Sequence, residues 1–142
     1  MVGRRVVGWG WGYDHVVGFT HRVRVRYGDC DMQGVVFNAN YFAFVDDTVD
    51  VWLQDALGED YLSGFDYSVK KAGMEWVGPA RRGDVIELTP EVTRWGRTSF
   101  DVGVRLEVGD RAIGRAELTL ISIDHDTYRP TPVPEDVRRA LS

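Results

Sequence analysis

Tyr41-Phe-Ala-Phe-Val-Asp-Asp-Thr-Val-Asp-Val-Trp-Leu-Gln-Asp-Ala-Leu-Gly58 is the stretch whose reading decides the fold. Tyr41, Phe44, Val45, Thr48, Val49, Trp52 and Ala56 recur at spacings of three and four, which gathers them on one face of a helix. Asp46, Asp47, Asp50 and Gln54 take the opposite face. Asn38 or Asn40 can cap the start, and Gly58 suits the left-handed residue past the end. A helix this long and this apolar on one side is expected at the centre of the molecule.

Upstream, Thr20 to Tyr27 alternates strictly, with Val23, Val25 and Tyr27 on a buried face and Arg22, Arg24 and Arg26 on the other, the pattern of a half-buried strand. A polar loop, Gly28-Asp-Cys-Asp-Met-Gln-Gly34, and Val35-Val-Phe37 join that strand to the helix. Downstream of Gly64 the sequence reads as strands over about 66–77, 84–95, 98–108 and 111–124, with Gly96 and Gly109-Asp110 marking tight hairpins. Gly78-Pro-Ala-Arg-Arg-Gly-Asp84 connects the first two of these strands. Prolines at 130, 132 and 134, then Glu135-Asp136 and Arg138-Arg139, describe a short terminal helix with acids early and bases late. Residues 1–18 carry glycines at 3, 8, 10, 12 and 18 without a clean period and are expected to form a flexible arm, leaving 19–142 as the domain.

The order strand, helix, four strands is α+β. One helix covers one face of a five-stranded sheet, so the remaining face or an edge needs burial elsewhere, and a second copy is the simplest supplier. Composition sets outer bounds: 142 residues with 44% hydrophobic and 27% charged side chains make one globular domain. A net charge of −5 argues against nucleic-acid binding by global charge. The longest strongly apolar run, Tyr41 to Val45, is far short of a membrane span, no signal-peptide core follows the N-terminal arginines, and the single cysteine excludes an intramolecular disulfide framework. A cytoplasmic protein is expected.

For chemistry, His15, His21 and His125 do not cluster with Cys30, and no zinc-ligand spacing exists, so neither a metal nor a cofactor is expected. Cys30 lies between Asp29 and Asp31, the wrong neighbours for a thiolate nucleophile. Two carboxylates in a loop that feeds a helix N-terminus leave two readings open. An Asp there caps the helix, or it serves as nucleophile or general base beside unpaired N–H groups that polarise a carbonyl.

Tyr27-Gly-Asp-Cys-Asp-Met-Gln-Gly-Val-Val-Phe-Asn-Ala-Asn-Tyr41 resembles the signature of the hotdog-fold acyl-CoA thioesterases, in particular the 4-hydroxybenzoyl-CoA thioesterase family. Pro79-Ala-Arg-Arg-Gly-Asp84 and Trp95-Gly-Arg-Thr-Ser-Phe100 are similar to that family's loop into its third strand and to the hairpin that follows. The resemblance spans about residues 20 to 135. It implies a hotdog fold, a five-stranded antiparallel sheet wrapped around one long central helix. It implies hydrolysis of an acyl- or aryl-CoA thioester to free acid and coenzyme A, without metal, by a homodimer or homotetramer with its site at a subunit interface.

Position by position, the resemblance makes Asp31 the catalytic carboxylate and places the backbone N–H around Phe37 and Asn38 on the thioester oxygen. Asn38 stands where related bacterial members often carry histidine, a departure that counts against a histidine-assisted mechanism but not against a backbone oxyanion site. Tyr27, Gly34, Phe37, Tyr41 and Trp76 would bind the acyl group, with Phe42 beside them, although Tyr27, Phe37, Phe42 and Trp76 serve equally well as core and Tyr41 as a packing or capping residue; Arg94, Arg97, Thr98 and Ser99 would contact the phosphates of coenzyme A. The arginines at 81, 82, 94 and 97 are expected to gather at the pocket mouth. Asp46, Asp47 and Asp50 rank behind Asp31 as alternatives on the helix. Rival activities are a hotdog hydratase or dehydratase, a carrier-protein (polyketide) thioesterase, and a non-catalytic acyl-CoA-binding module.

Overall fold

Eleven elements follow one another in the computed structural model, which describes residues 5–8 and 14–142. Strands β1 (Arg5–Gly8) and β2 (Asp14–Val17) pair with each other in a small antiparallel sheet. The expected flexible arm thus falls partly outside the described residues, and its remainder contains this pairing. Then come β3 (His21–Arg24), a 3₁₀ turn (Tyr27–Asp29), the helix α1 (Asn40–Leu57) and a second 3₁₀ turn (Tyr61–Ser63). Four long strands follow, β4 (Asp66–Trp76), β5 (Val85–Trp95), β6 (Ser99–Val108) and β7 (Arg111–Ile123), and the chain closes with α2 (Glu135–Leu141). The main sheet is antiparallel throughout, in the order β3-β5-β6-β7-β4. Five strands, one long helix and a short terminal helix are the hotdog arrangement that the resemblance implies.

Alternation explains which face is buried. Ile86 and Leu88 of β5, Phe100, Val102, Val104 and Leu106 of β6, and Ala116, Leu118 and Leu120 of β7 enter the core. From α1 they meet Tyr41, Phe44, Val45, Val49, Trp52 and Leu53. Each such aliphatic or aromatic side chain contributes about 1.5–3 kcal/mol on burial, which is why α1 holds its place without a capping side chain. The other face of the sheet is polar, with ion pairs Arg22–Glu87 at 3.0 Å, Arg94–Asp101 at 2.8 Å and Arg115–Glu117 at 2.8 Å. Helix α2 buries Val137 and Leu141 and packs against α1.

Register divides the sheet into two ends. Arg24 pairs with Val85, and Trp76 with Gly114, so the β3–α1 loop and the β4–β5 connection share one end. Trp95 pairs with Phe100, Phe100 with Leu120 and Asp66 with Ile123, which puts the β5–β6 hairpin at the other end. The strands between are ten to thirteen residues long, so the two ends lie about 30 Å apart.

Two local expectations are corrected. Tyr27 does not extend the buried row of β3: the strand ends at Arg24, the chain turns, and Tyr27 is 81% exposed. Neither Asn38 nor Asn40 caps α1. Ala39 occupies the N-cap position with no side-chain bond, while Asn40 is the first helical residue and sends its amide elsewhere.

Candidate active site

The loop before α1 is built by backbone pairing. Cys30 and Val36 form an antiparallel bridge, the Asp31 N–H donates to the Val35 carbonyl at 2.9 Å, and the Phe37 N–H donates to the Asp29 carbonyl at 3.0 Å. Gly34 makes the reversal possible, with a φ of 80° that a side chain would resist. Val35 also bridges Arg81, and the Val36 N–H donates to the Ala80 carbonyl at 2.9 Å, so the β4–β5 connection is stitched to this loop. Tyr41, only 2% exposed, fastens the helix start to the same connection by accepting the Ala80 N–H at 3.1 Å. Burial holds the Tyr41 phenol above its ordinary pKa, so it stays a neutral structural group.

The two carboxylates have different duties. Asp29 is buried; its side chain accepts the Arg26 N–H at 2.8 Å and its carbonyl accepts the Asn40 amide at 2.8 Å. Asp29 is therefore a strut of the loop. Asp31 accepts only the Gln33 N–H, through Oδ1 at 2.8 Å, and its Oδ2 has no partner among the described residues. One oxygen fixes the side chain and the other is open. Neither carboxylate caps α1.

At the helix start, the Asn40, Tyr41 and Phe42 N–H groups donate to the carbonyls of Phe37, Asn38 and Ala39. Phe37 is already committed to Asp29, which corrects the expectation that its N–H helps to hold a substrate oxygen. The Asn38 and Ala39 N–H groups have no acceptor among the described residues, and they sit at the positive end of an eighteen-residue helix.

Two cavities flank the Cys30–Val36 pairing. The larger, about 690 Å³, is lined by Tyr27, Cys30, Asp31, Met32, Gly34 and Arg82. The smaller, about 320 Å³, is lined by Val36, Asn38, Tyr41, Trp76, Val77, Gly78 and Pro79. Asp31, Tyr27 and Gly34 are thus together, as are Asn38, Tyr41 and Trp76, in neighbouring but separate depressions of one protomer. Phe37, half-exposed, lines neither. Trp76 packs edge-on against Tyr41 at 5.9 Å.

Arg94, Arg97, Thr98 and Ser99 are not in either cavity. They occupy the hairpin end of the sheet, and Arg94 is bound to Asp101 at 2.8 Å, with a longer approach to Ser99 at 3.5 Å. Within one protomer the four arginines do not gather: Arg81 and Arg82 stand at the loop end, Arg94 and Arg97 at the other. Of the helix alternatives, Asp47 pairs with His21 at 3.0 Å and Asp50 accepts the Tyr61 hydroxyl at 2.7 Å. Burial, reinforced by that bond, pushes the Tyr61 phenol far above its usual pKa. His125 pairs with Asp66 at the hairpin end, and no histidine lines the Asp31 cavity. Among the described residues no group of three His, Cys, Asp or Glu side chains is placed to hold a metal ion, and no helix is long and apolar enough to cross a membrane.

The sequence did not single out Met32, Val77 or Pro79 as lining residues. The bridge between Val35 and Arg81, far apart in the chain, places Val77 and Pro79 beside the loop, and no local pattern announces it.

A family model described as the thioesterase-like superfamily matches residues 25–141. The chain is 29% identical over 126 residues to the acyl-CoA thioester hydrolase YbgC of Escherichia coli O6:H1, covering 84% of this chain and 92% of that one. It is 26% identical over 117 residues to the 1,4-dihydroxy-2-naphthoyl-CoA hydrolase of Synechococcus elongatus, covering 78% and 85%. Among solved structures, a Pseudomonas aeruginosa PAO1 protein superposes with a TM-score of 0.79 at 25% identity, covering 86% of this chain and 87% of that one.

Proposed function

Because this chain belongs to the thioesterase-like superfamily, we propose that it hydrolyses acyl- or aryl-CoA thioesters, with Asp31 as the working carboxylate. The observation that carries the reading is the open Oδ2 of Asp31 in the loop that feeds a helix start whose Asn38 and Ala39 N–H groups have no acceptor among the described residues. Relatives named as acyl-CoA thioester hydrolase and 1,4-dihydroxy-2-naphthoyl-CoA hydrolase support the substrate class.

The chemistry follows from those two groups. The thioester carbonyl oxygen accepts the Asn38 N–H, and the helix dipole stabilises it as it gains charge. In one route Asp31 takes a proton from water, whose oxygen bonds to the carbonyl carbon. The tetrahedral intermediate then expels coenzyme A as thiolate and leaves the free acid. In the other, the carboxylate itself attacks, thiolate departs, and water opens the resulting anhydride. Both need the same oxygen placement, and one oxyanion donor is worth about 3 kcal/mol of barrier in acyl-transfer enzymes.

The register of the sheet supports a composite site. β4 is a long edge strand, exposed along most of its length. Pairing it antiparallel with β4 of a second copy brings the loop end of one protomer against the hairpin end of its partner. Asp31 and Asn38 would then share one coenzyme A molecule with the partner's phosphate-binding hairpin, which a single protomer holds about 30 Å away.

The test is thiol release measured over a panel of aryl-, short-, medium- and long-chain acyl-CoAs, with sedimentation of the same sample. Turnover of at least one thioester by a two-fold oligomer is expected. No release from any member of the panel overturns the activity, and an active monomer overturns the composite site.

A further inference from the structure

The carbonyls of the β5–β6 turn are all engaged from behind. Arg138 of α2 donates from its guanidinium to the carbonyls of Gly96 and Arg97, and the same guanidinium lies 5.3 Å over the ring of Trp95. The Val133 N–H donates to the Arg97 carbonyl at 2.9 Å, and the Ser122 N–H donates to the Thr98 carbonyl at 2.7 Å. Three consecutive carbonyls are thereby committed to the body of the protein. By contrast, the N–H groups of Arg97 and Thr98, which lie between the strands, have no acceptor among the described residues.

Each peptide unit is a dipole, so anchoring its carbonyl to a cation leaves its N–H end as a fixed partial positive charge. The turn is rigid as well as polarised. A Cβ on Gly96 would come within 3.0 Å of the Ser99 carbonyl, and Trp95 packs on Phe100 at 4.9 Å. The strap is equally fixed, because Val133, Val137 and Leu141 are buried and hold the chain on either side of Arg138.

We propose that Arg138 is a positioning residue for coenzyme A. From α2 it fixes the 96–99 turn so that the Arg97 and Thr98 N–H groups and the Arg97 guanidinium form one anion site for the coenzyme's phosphates. This rests on the assignment of the hairpin to coenzyme A binding, and it adds two features to it. The backbone donates alongside the side chains, and the terminal helix governs affinity for the nucleotide without touching it. Arg94 takes no part, since Asp101 holds it on the sheet.

The experiment compares two thioesters of one acid, the acyl-CoA turned over fastest and the corresponding N-acetylcysteamine thioester, which lacks all phosphates. Arg138→Met keeps a stem over Trp95 and removes the donors. The expected result is a KM for the acyl-CoA raised about tenfold with kcat nearly constant, and kcat/KM for the truncated thioester within about twofold of wild type. Free coenzyme A, titrated calorimetrically, should bind more weakly by the same factor. Arg138→Lys, which retains the charge and one donor, should show the same selective effect at smaller size, and it serves as the test should the Met variant fail to fold. Equal losses on both thioesters would mean a merely structural role and overturn the proposal. Arg97→Ala separates the two readings. A selective KM increase there, with none in either Arg138 variant, overturns the strap alone, whereas no increase in Arg97→Ala removes the hairpin assignment on which the strap depends.

Discussion

The two ends of the sheet handle their backbone donors in opposite ways. At the loop end, donors are left open by the geometry of a helix start: the first turn of α1 uses the carbonyls of residues 37–39 and leaves the Asn38 and Ala39 N–H groups over. At the hairpin end, the Arg97 and Thr98 N–H groups have no acceptor among the described residues, while the carbonyls of the same turn are taken by α2, by Val133 and by β7. The first arrangement needs no outside support and suits a group that must stabilise charge appearing during a reaction. The second is set by tertiary contact with a helix that is itself anchored through Val137 and Leu141, and suits a group that binds a charge already present. Local helix physics supplies one end and tertiary contact the other.

The sharpest way to break this contrast is at Asp31. Asp31→Asn removes the open carboxylate while keeping an acceptor for the Gln33 N–H, so thiol release should fall about 10²–10⁴-fold with the melting temperature unchanged. Near-normal turnover in the folded variant would remove Asp31 from the reaction. A second test asks whether the two ends cooperate across protomers. Asp31→Asn and Arg97→Ala proteins, unfolded and refolded together in equal amounts, should recover about a quarter of wild-type turnover at low acyl-CoA. Mixed pairs are half the population, and each keeps one intact composite site. Recovery no greater than the parents' average would place both ends of a site in one chain.

Smaller effects sharpen the picture. Asn40→Ala deletes the amide that holds the Asp29 carbonyl, and a stability loss of about 1 kcal/mol is expected from chemical denaturation. The loosened loop should also slow turnover by about tenfold without shifting KM, a loss confined to the loop end. The smallest effect belongs to Asp101. Its bond to Arg94 depresses its pKa below the ordinary 3.8. That stabilisation is therefore present above pH 3.8 and disappears as pH falls through the lowered value. Asp101→Asn should melt slightly below wild type at neutral pH, and the gap should close in strong acid. A gap that persists there would mean packing, not charge, sets the difference.

Much of this molecule was legible in its residues, and what was illegible has a common cause. Strand ends at Trp76, Trp95, Val108 and Ile123 fall within a residue or so of where alternation and the hairpin glycines put them, because period and turn chemistry are local. The apolar face of α1 was equally plain, and Leu53, four residues after Val49 and fully buried, belongs to it as well. Tyr27 misled because alternation continues for three residues after the backbone has left the sheet. Asn40 looked like a cap, but its amide is drawn eleven residues back to Asp29. The four arginines looked like one cluster because motif proximity carries no register. Only the pairings of Arg24 with Val85 and Trp95 with Phe100 show that they belong to opposite ends.

The unequal edges of the main sheet have a further consequence for assembly. One edge, β3, is four residues long and presents Arg22 and Arg24 outward, a short and charged margin that discourages a neighbour. The other, β4, offers eleven residues of backbone. A unit with one receptive margin has a valence of one along the sheet direction. When two such margins meet, both are consumed and growth in that direction stops. In the proposed pairing a long open strand edge is no seed for fibres, because a second copy terminates it.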